Sequence, residues 1–320
     1  MALPTETVYG LGANALDSDA VQSIFAAKRR PSWDPIIVHI APLDRLDAML
    51  DGLVKDVPEA AQRLMHTFWP GPLTLLLPRS SAIPDAVTAS RPLVGIRMPS
   101  HPVARELIRR AGIPIAAPSA NVFAHVSPTT AAHVLEDLDG RIDAVLDAGP
   151  ALHGVESTVL DPNQTPMVIY RPGAVTAEQI RTVAGEVALF RGGEEPIQAP
   201  NGPLASPGLG LRHYAPRARL VLVEPAADRF GRELAKAAAG LAEELVGIML
   251  PAEAAPPPGS EIFAWGSWHA PDELARNLYA GLRALDARGC TVILCPLPQG
   301  EGISAAIRDR LRKAAQPADK

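Results

Sequence analysis

Two stretches near the start of the chain carry side chains suited to holding an anion. The first, residues 4–14 (PTETVYGLGAN), sets Thr5 and Thr7 beside Gly10 and Gly12, so that small hydroxyls and bare backbone let a ligand approach closely. The second is the cationic run Lys28-Arg29-Arg30-Pro31, followed by Ser32-Trp33-Asp34 and an apolar stretch that ends near His39. A cationic helix end is also what the helix macrodipole favours by itself. Here an apolar strand follows at once and pins the cations at its edge. The two stretches read as two walls of one anion site.

Further candidates lie downstream. Ser119 and Asn121 stand in Pro118-Ser119-Ala120-Asn121, directly after an apolar run that ends at Ala117. Ser127 precedes Pro128 as an N-cap precedes a first-turn proline. Strand ends and helix N-termini of α/β sheets attract phosphate oxygens, although ordinary turn and cap chemistry uses the same residue types. In Glu156-Ser157-Thr158 a hydroxyl pair enters a strand, which is usually structural. Arg97 and Arg171 close apolar strands next to proline. Such side chains ordinarily snorkel to solvent, but together with Lys28 and Arg30 they favour a convergent anion site. His125 and His133 are eight apart, off metal-binding spacing, and read as surface residues. There is no G-x-S-x-G elbow and no P-loop. The Gly-Leu-Gly runs at 10–12 and 208–210 lack the rest of a dinucleotide fingerprint.

The elements that must position these residues follow from periodicity and capping. A helix begins after Asp17 or Ser18 and runs to Lys28, stopped by Pro31. Strands are expected over 36–40, 73–77, 93–98, 113–117, 144–147, 157–160 and 167–170. Helices are expected over 43–50, 57–68 and 101–110, from Ser127, and from Thr176. From 192 to 217 periodicity gives way to Gly and Pro, a linker too long for an ordinary connection. Beyond it strand and helix alternate, with strands over 220–223, 246–250, 262–265 and 291–295 and helices over 228–244, 271–288 and 303–314. That alternation predicts a small parallel α/β layer fold. The expected division is 1–191, a linker over 192–217, and 218–320.

Composition narrows the function classes. The 320 residues suffice for two cores, and a hydrophobic content of 47% excludes a disordered chain. No apolar run approaches the ~20 residues of a membrane span, and no secretory signal is legible. Cys290 and Cys295 have no metal-type spacing and suit a reducing cytoplasm. A net charge of −5 argues against gripping nucleic acid by bulk electrostatics. Residue patterns alone stop at an anion-binding α/β enzyme of the cytoplasm.

Taken in order, PTETVYGLGAN, K-x-R-P with PIIVH, WPGPLTLLL, VGIRMP, APSAN with SPT, ESTVLD, YRPG and SPGLGLRHYAP resemble the threonylcarbamoyl-AMP synthase family in its long, two-domain form. The resemblance implies a YrdC-like domain with a twisted mixed sheet, plus a smaller Rossmann-like or flavodoxin-like parallel domain. It also implies a reaction: L-threonine, bicarbonate and ATP give threonylcarbamoyl-AMP and pyrophosphate, with Mg2+ carried by the ATP, for threonylcarbamoyladenosine modification of tRNA. By the same resemblance Lys28 and Arg30 are catalytic and hold the triphosphate, with Ser32, Ser119, Asn121, Ser127, Arg171 and Tyr214 also facing ATP. Thr5, His39, Arg97, Ala117 and Ser157 surround threonine, and His213 and Tyr214 form a lid. The product goes to a tRNA-modifying transferase, with direct tRNA binding weak or absent.

Two other readings stay open: an RNA-binding module, disfavoured by acidity and 4% aromatics, and a carbamoyl-phosphate-using relative of hydrogenase maturation, disfavoured by the lack of Cys-x-x-Cys pairs. Three departures from the family pattern carry expectations. Only Met1-Ala2-Leu3 precede PTET, where a helix and a strand are usual, so either the start lies elsewhere or an edge element is missing under Thr5. Asp34, in place of an asparagine, brings a carboxylate beside the phosphate site. Gly210 and Leu211, in place of a lysine and an aromatic, weaken the lid contacts.

Overall fold

The computed structural model describes residues 1–41, 50–190, 204–210, 212–224, 230–241 and 243–317. The helix expected over 43–50 lies outside these except at Leu50, as do the start of the linker and Leu211. The first unit contains strands β1 (Ala2–Leu3), β2 (Gly10–Leu11), β3 (Ala13–Asn14), β4 (Ile37–His39) and β5 (Leu73–Pro78). They are followed by β6 (Leu93–Arg97), β7 (Ile115–Ala116), β8 (Thr158–Asp161), β9 (Met167–Arg171) and β10 (Val187–Leu189).

Eight of these strands form one sheet in the order β10-β9-β8-β5-β6-β4-β7-β3. The pairing is mixed: β4 runs parallel to β6 and β5 to β8, whereas β5–β6, β8–β9 and β4–β7 are antiparallel. Strand β5 is apolar at nearly every position because it lies mid-sheet with both faces covered. Strands β11 (Arg219–Val223), β12 (Val246–Pro251), β13 (Glu261–Gly266) and β14 (Val292–Pro296) form a second sheet, order β11-β14-β12-β13. Every pair in it is parallel, as the strand–helix alternation predicts.

Helix boundaries follow local chemistry. Asp17 caps the helix Ser18–Lys28 by accepting from the N–H groups of Asp19 and Ala20, and the chain leaves it through Arg29 in the left-handed region, φ 52°. Thr176 and Gln179 form a reciprocal capping box at the start of Ala177–Ala184. Val21, Ile24 and Phe25 pack with Leu64, Met65, Leu75 and Ile169 into the main core under the large sheet. A second core crosses between the units: Val8, Val126, Val155 and Tyr214 pack with Leu274, Leu278, Tyr279 and Leu311.

Several expectations are corrected. The strand expected over 144–147 is a single bridge from Val145 to Ala2, because the partner strand β1 is itself so short. The strand over 113–117 shrinks to β7, between two prolines that cannot donate. Ser127 does not cap the next helix; Thr130 caps Ala131–Leu138, and the Ser127 hydroxyl is spent on Glu156. Strand β10, the three apolar residues Val187-Ala188-Leu189, extends the sheet beyond the expected strands, pairing parallel with β9. His133 is half-buried, not a surface residue, and lies beside Thr129.

The opening stretch is held by backbone pairing. Ala2 and Leu3 pair antiparallel with Leu11 and Gly10, and Met1 accepts from the Gly12 N–H. Gly12 is required there, since a Cβ would come within 2.8 Å of both Ile115 and Leu3.

Candidate active site

Strands β4, β6, β8 and β9 end around one cavity of about 50 Å3, roofed by Pro207, Gly208, His213 and Tyr214. One wall is built of hydroxyls and a paired cation. Thr5 donates to the Val8 carbonyl at 2.6 Å and its oxygen lies 2.9 Å from that of Thr7. Arg97, buried at the end of β6, donates to Thr7 at 2.9 Å and forms an ion pair with Glu6 at 2.6 Å. Burial alone would raise the Glu6 pKa; Arg97 outweighs it and holds the carboxylate at about 2. His39 is buried beside this pair. Desolvation and then the charge of Arg97 lower its pKa to about 3, so it is a neutral imidazole at pH 7. Its Nδ1 finds no hydrogen-bond partner among the described residues.

The opposite wall is cationic. Arg30 follows the left-handed turn at Arg29, which aims it inward. It donates to the Asp34 and Pro35 carbonyls at 3.1 and 2.7 Å and pairs with the Asp34 carboxylate at 3.0 Å. Arg171, ending β9, is held by the Ser157 carbonyl and hydroxyl, both at 3.1 Å. Ser157 in turn shares a 2.8 Å hydrogen bond with Thr74. Ala117 and Ser119 close the side between the walls. Here the carboxylate expected beside the phosphate site is present, buried and matched to Arg30.

The remaining sequence candidates lie outside the cavity lining. Lys28 is fully buried behind the wall, its ammonium donating to the Ser119 and Asn121 carbonyls. Burial, then repulsion from Arg30, sets its pKa well below the usual value. Asn121 donates to the Val122 and His125 carbonyls at 2.8 and 2.9 Å and so braces the loop. Ser32 is exposed. Among the described residues no cluster of His, Cys, Asp or Glu has the geometry to hold a metal ion.

The roof is a packed aromatic stack. Tyr214 is 2% exposed and sits in the left-handed region at φ 62°. Its ring lies 4.3 Å from that of His213 and stacks on Tyr279 at 5.8 Å, with the Arg310 guanidinium 5.2 Å above it. Lys313 donates to the Gly208 carbonyl at 2.7 Å. Burial lowers the His213 pKa strongly and raises that of the Tyr214 phenol.

Sequence reasoning missed Glu6 and Glu156 as site residues. It missed Tyr279 and Arg310 altogether. A buried carboxylate within a strand entry, with partners 123 and 154 residues away, leaves no local signature.

Two family profiles tile the chain. One described as "Telomere recombination" (Sua5, YciO and YrdC) matches residues 1–173, and one described as "Threonylcarbamoyl-AMP synthase, C-terminal domain" matches 175–316. The fold is thus that of an α/β enzyme of the Sua5 type. Threonylcarbamoyl-AMP synthases of Pyrococcus abyssi and Bacillus subtilis are each 42% identical, over 98% of this chain and 90% and 89% of theirs. The solved structure of P. abyssi Sua5 complexed with L-threonine superposes with a TM-score of 0.90 at 41% identity, over 98% of this chain and 89% of that one. The chain belongs to the threonylcarbamoyl-AMP synthase family.

Proposed function

We propose that this site joins L-threonine, bicarbonate and ATP into threonylcarbamoyl-AMP and pyrophosphate, a nucleotidyl transfer to a carbamate. The observation that carries the reading is one cavity lined by the hydroxyls of Thr5 and Thr7 with Arg97 and by Arg30 and Arg171. A relative crystallised with L-threonine supports the amino acid as one substrate. The threonine amine condenses with bicarbonate, releasing water and leaving a carbamate anion. A carbamate oxygen then forms a bond to the α-phosphorus as the bond to pyrophosphate breaks. No proton needs to leave in that second step. The task of the protein is therefore positioning and fixed positive charge.

On this reading Thr5, Thr7, His39, Arg97, Ala117 and Ser157 surround threonine and its carbamate. Neutral His39 offers an acceptor without adding charge. Arg30, Arg171 and Ser119 face the phosphates. Lys28 and Asn121 act from behind, shaping the loop that carries Ser119. Ser127 acts by holding Glu156, and Ser32 meets the nucleotide. Mg2+ arrives with ATP as part of the substrate.

A cavity of about 50 Å3 holds a few waters, not a nucleotide. His213 and Tyr214 therefore move out for ATP to enter and return to exclude water from the carbamate. The product is a mixed anhydride that water destroys, which requires a transferase acting on tRNA to take it directly.

Pyrophosphate release is the test, with threonine and bicarbonate omitted in turn. Release should need both. Release independent of both overturns the reaction, and salt-sensitive RNA binding without turnover would favour a binding module instead.

A further inference from the structure

We infer that Glu156 is a positioning residue through which the C-terminal unit seats the lid over the active site; this rests on the reaction proposed above. The carboxylate borders the cavity and is 6% exposed. It gathers donors from three separate places. Ser127 donates to one oxygen at 2.6 Å, from the loop before Ala131–Leu138. Tyr279, on the helix Pro271–Ala287, donates to both oxygens at 3.1 and 2.9 Å. Arg310, on the helix Ile303–Ala314, donates to the second oxygen at 2.7 Å. The last two are the groups that pack against the Tyr214 ring.

The Tyr214 hydroxyl has no hydrogen-bond partner among the described residues, so packing alone holds the ring. Its position is therefore only as well defined as the two groups that pack against it. Both groups are tied to the same carboxylate. Arg310 is wholly buried and has one other carboxylate, the partly exposed Asp309, at 2.6 Å. Without charge on Glu156, Arg310 keeps only that outward partner and is drawn off the Tyr214 face. The arrangement also explains how a carboxylate can border a site for phosphates: its charge is matched by Arg310 before any nucleotide enters. Burial would raise its pKa, but Arg310, then Arg171, then the Ser127 hydrogen bond hold it at about 2. It is therefore ionised throughout the working range.

The experiment is amide hydrogen exchange on the full chain, wild type against Glu156→Gln and Tyr279→Phe, with turnover measured in parallel. Glu156→Gln should speed exchange in peptides covering 204–215 by about tenfold or more while β8 and β9 keep their protection. It should also raise the pyrophosphate released per threonylcarbamoyl-AMP formed, because a loosened roof admits water. A mere loss of active molecules leaves that ratio unchanged. Tyr279→Phe keeps the ring and loses one hydroxyl, so it should do the same to a smaller degree, and it decides the matter if Glu156→Gln does not fold. Unchanged exchange at 204–215, or acceleration spread evenly over β8 and β9, overturns the inference. If wild type itself shows no threonine-dependent release, the proposed reaction fails, and the exchange comparison still tests the seat.

Discussion

The three arginines around the cavity are held in different ways, and that difference sets what each can do. Arg97 is neutralised by Glu6 and Arg30 by Asp34, whereas among the described residues Arg171 has no carboxylate in ion-pair contact and is held by the oxygens of Ser157. Arg171 is thus the side chain whose charge is least matched by the protein. Arg171→Met should lower kcat/KM for ATP by about 10²–10³, the usual cost of losing one fixed donor to a developing oxyanion, as read from initial rates of pyrophosphate release. Asp34→Asn should act in the opposite sense. Burial outweighs the attraction of Arg30 and raises the Asp34 pKa. A carboxyl whose pKa is raised by folding contributes stability that is lost as pH rises through that value. Asp34→Asn should lower the KM for ATP several-fold while lowering Tm, because it leaves the buried Arg30 guanidinium without its carboxylate; a raised KM would contradict this. Protonation also sets the acid limit. His39 and His133 have pKa values lowered to about 3 and about 4, and that of His213 is lowered well below the usual value, chiefly by burial. Below about pH 6.5 the unfolded chain binds protons that the fold refuses, so stability falls as pH falls, by up to ~1.4 kcal/mol per pH unit for each such histidine. Urea unfolding at pH 7 and pH 5 reads this slope, and His39→Asn should flatten it.

Elements carry the site because their ends meet, and the glycines mark where they meet most closely. Gly173 follows β9, and a Cβ there would lie 2.4 Å from the Thr158 N, 2.5 Å from the Glu156 O and 2.6 Å from the Ser157 C. All three are backbone, so nothing flexible can yield. Gly173→Ala should therefore displace the entry to β8, costing about 1–3 kcal/mol by overpacking and lowering kcat together with stability in denaturant titrations. Much of this framework was legible from sequence. Asp17, Pro102 and Thr176 each mark a helix start by chemistry confined to one turn, and the apolar run at 73–77 could only be a buried strand. That Arg97 and Arg171 turn inward was half legible: strand-end placement allowed it, but only the seats at Thr7, Glu6 and Ser157 decide it. What stayed hidden needed distant partners. Ser127 looks like a cap until Glu156 competes for its hydroxyl, and β10 is an apolar run of only three residues that becomes a strand by pairing with β9.

At the scale of the whole molecule, the C-terminal unit reaches the site both through the lid at Gly208 and Tyr214 and through its contact with the segment around 122–156. Arg283 grips the Val126 carbonyl and the carboxylates of Glu136 and Asp137, and Arg276 donates to the Leu152 carbonyl at 3.1 Å. The tightest approach is at Gly154. It has φ +69°, and a Cβ there would lie 2.5 Å from the Arg276 Cα and 2.6 Å from the Ala275 and Arg276 carbonyl oxygens. The helix Pro271–Ala287 would have to move as a body to admit one methyl group, carrying Tyr279 away from both Glu156 and Tyr214. Gly140 supplies the control: its φ is +69° as well, but a Cβ there meets nothing within 4 Å. Each alanine pays the same left-handed strain of about 1 kcal/mol; only Gly154→Ala adds about 1–3 kcal/mol of overpacking. At about 2–4 °C per kcal/mol for a chain of this size, calorimetry should show a clearly larger fall in Tm for Gly154→Ala than for Gly140→Ala. If the C-terminal unit seats the lid, Gly154→Ala should also reproduce the excess pyrophosphate release of Glu156→Gln, although residue 154 does not line the cavity, while Gly140→Ala keeps the wild-type ratio. Equal behaviour of the two alanine variants would mean that the docking of this helix does not govern the roof.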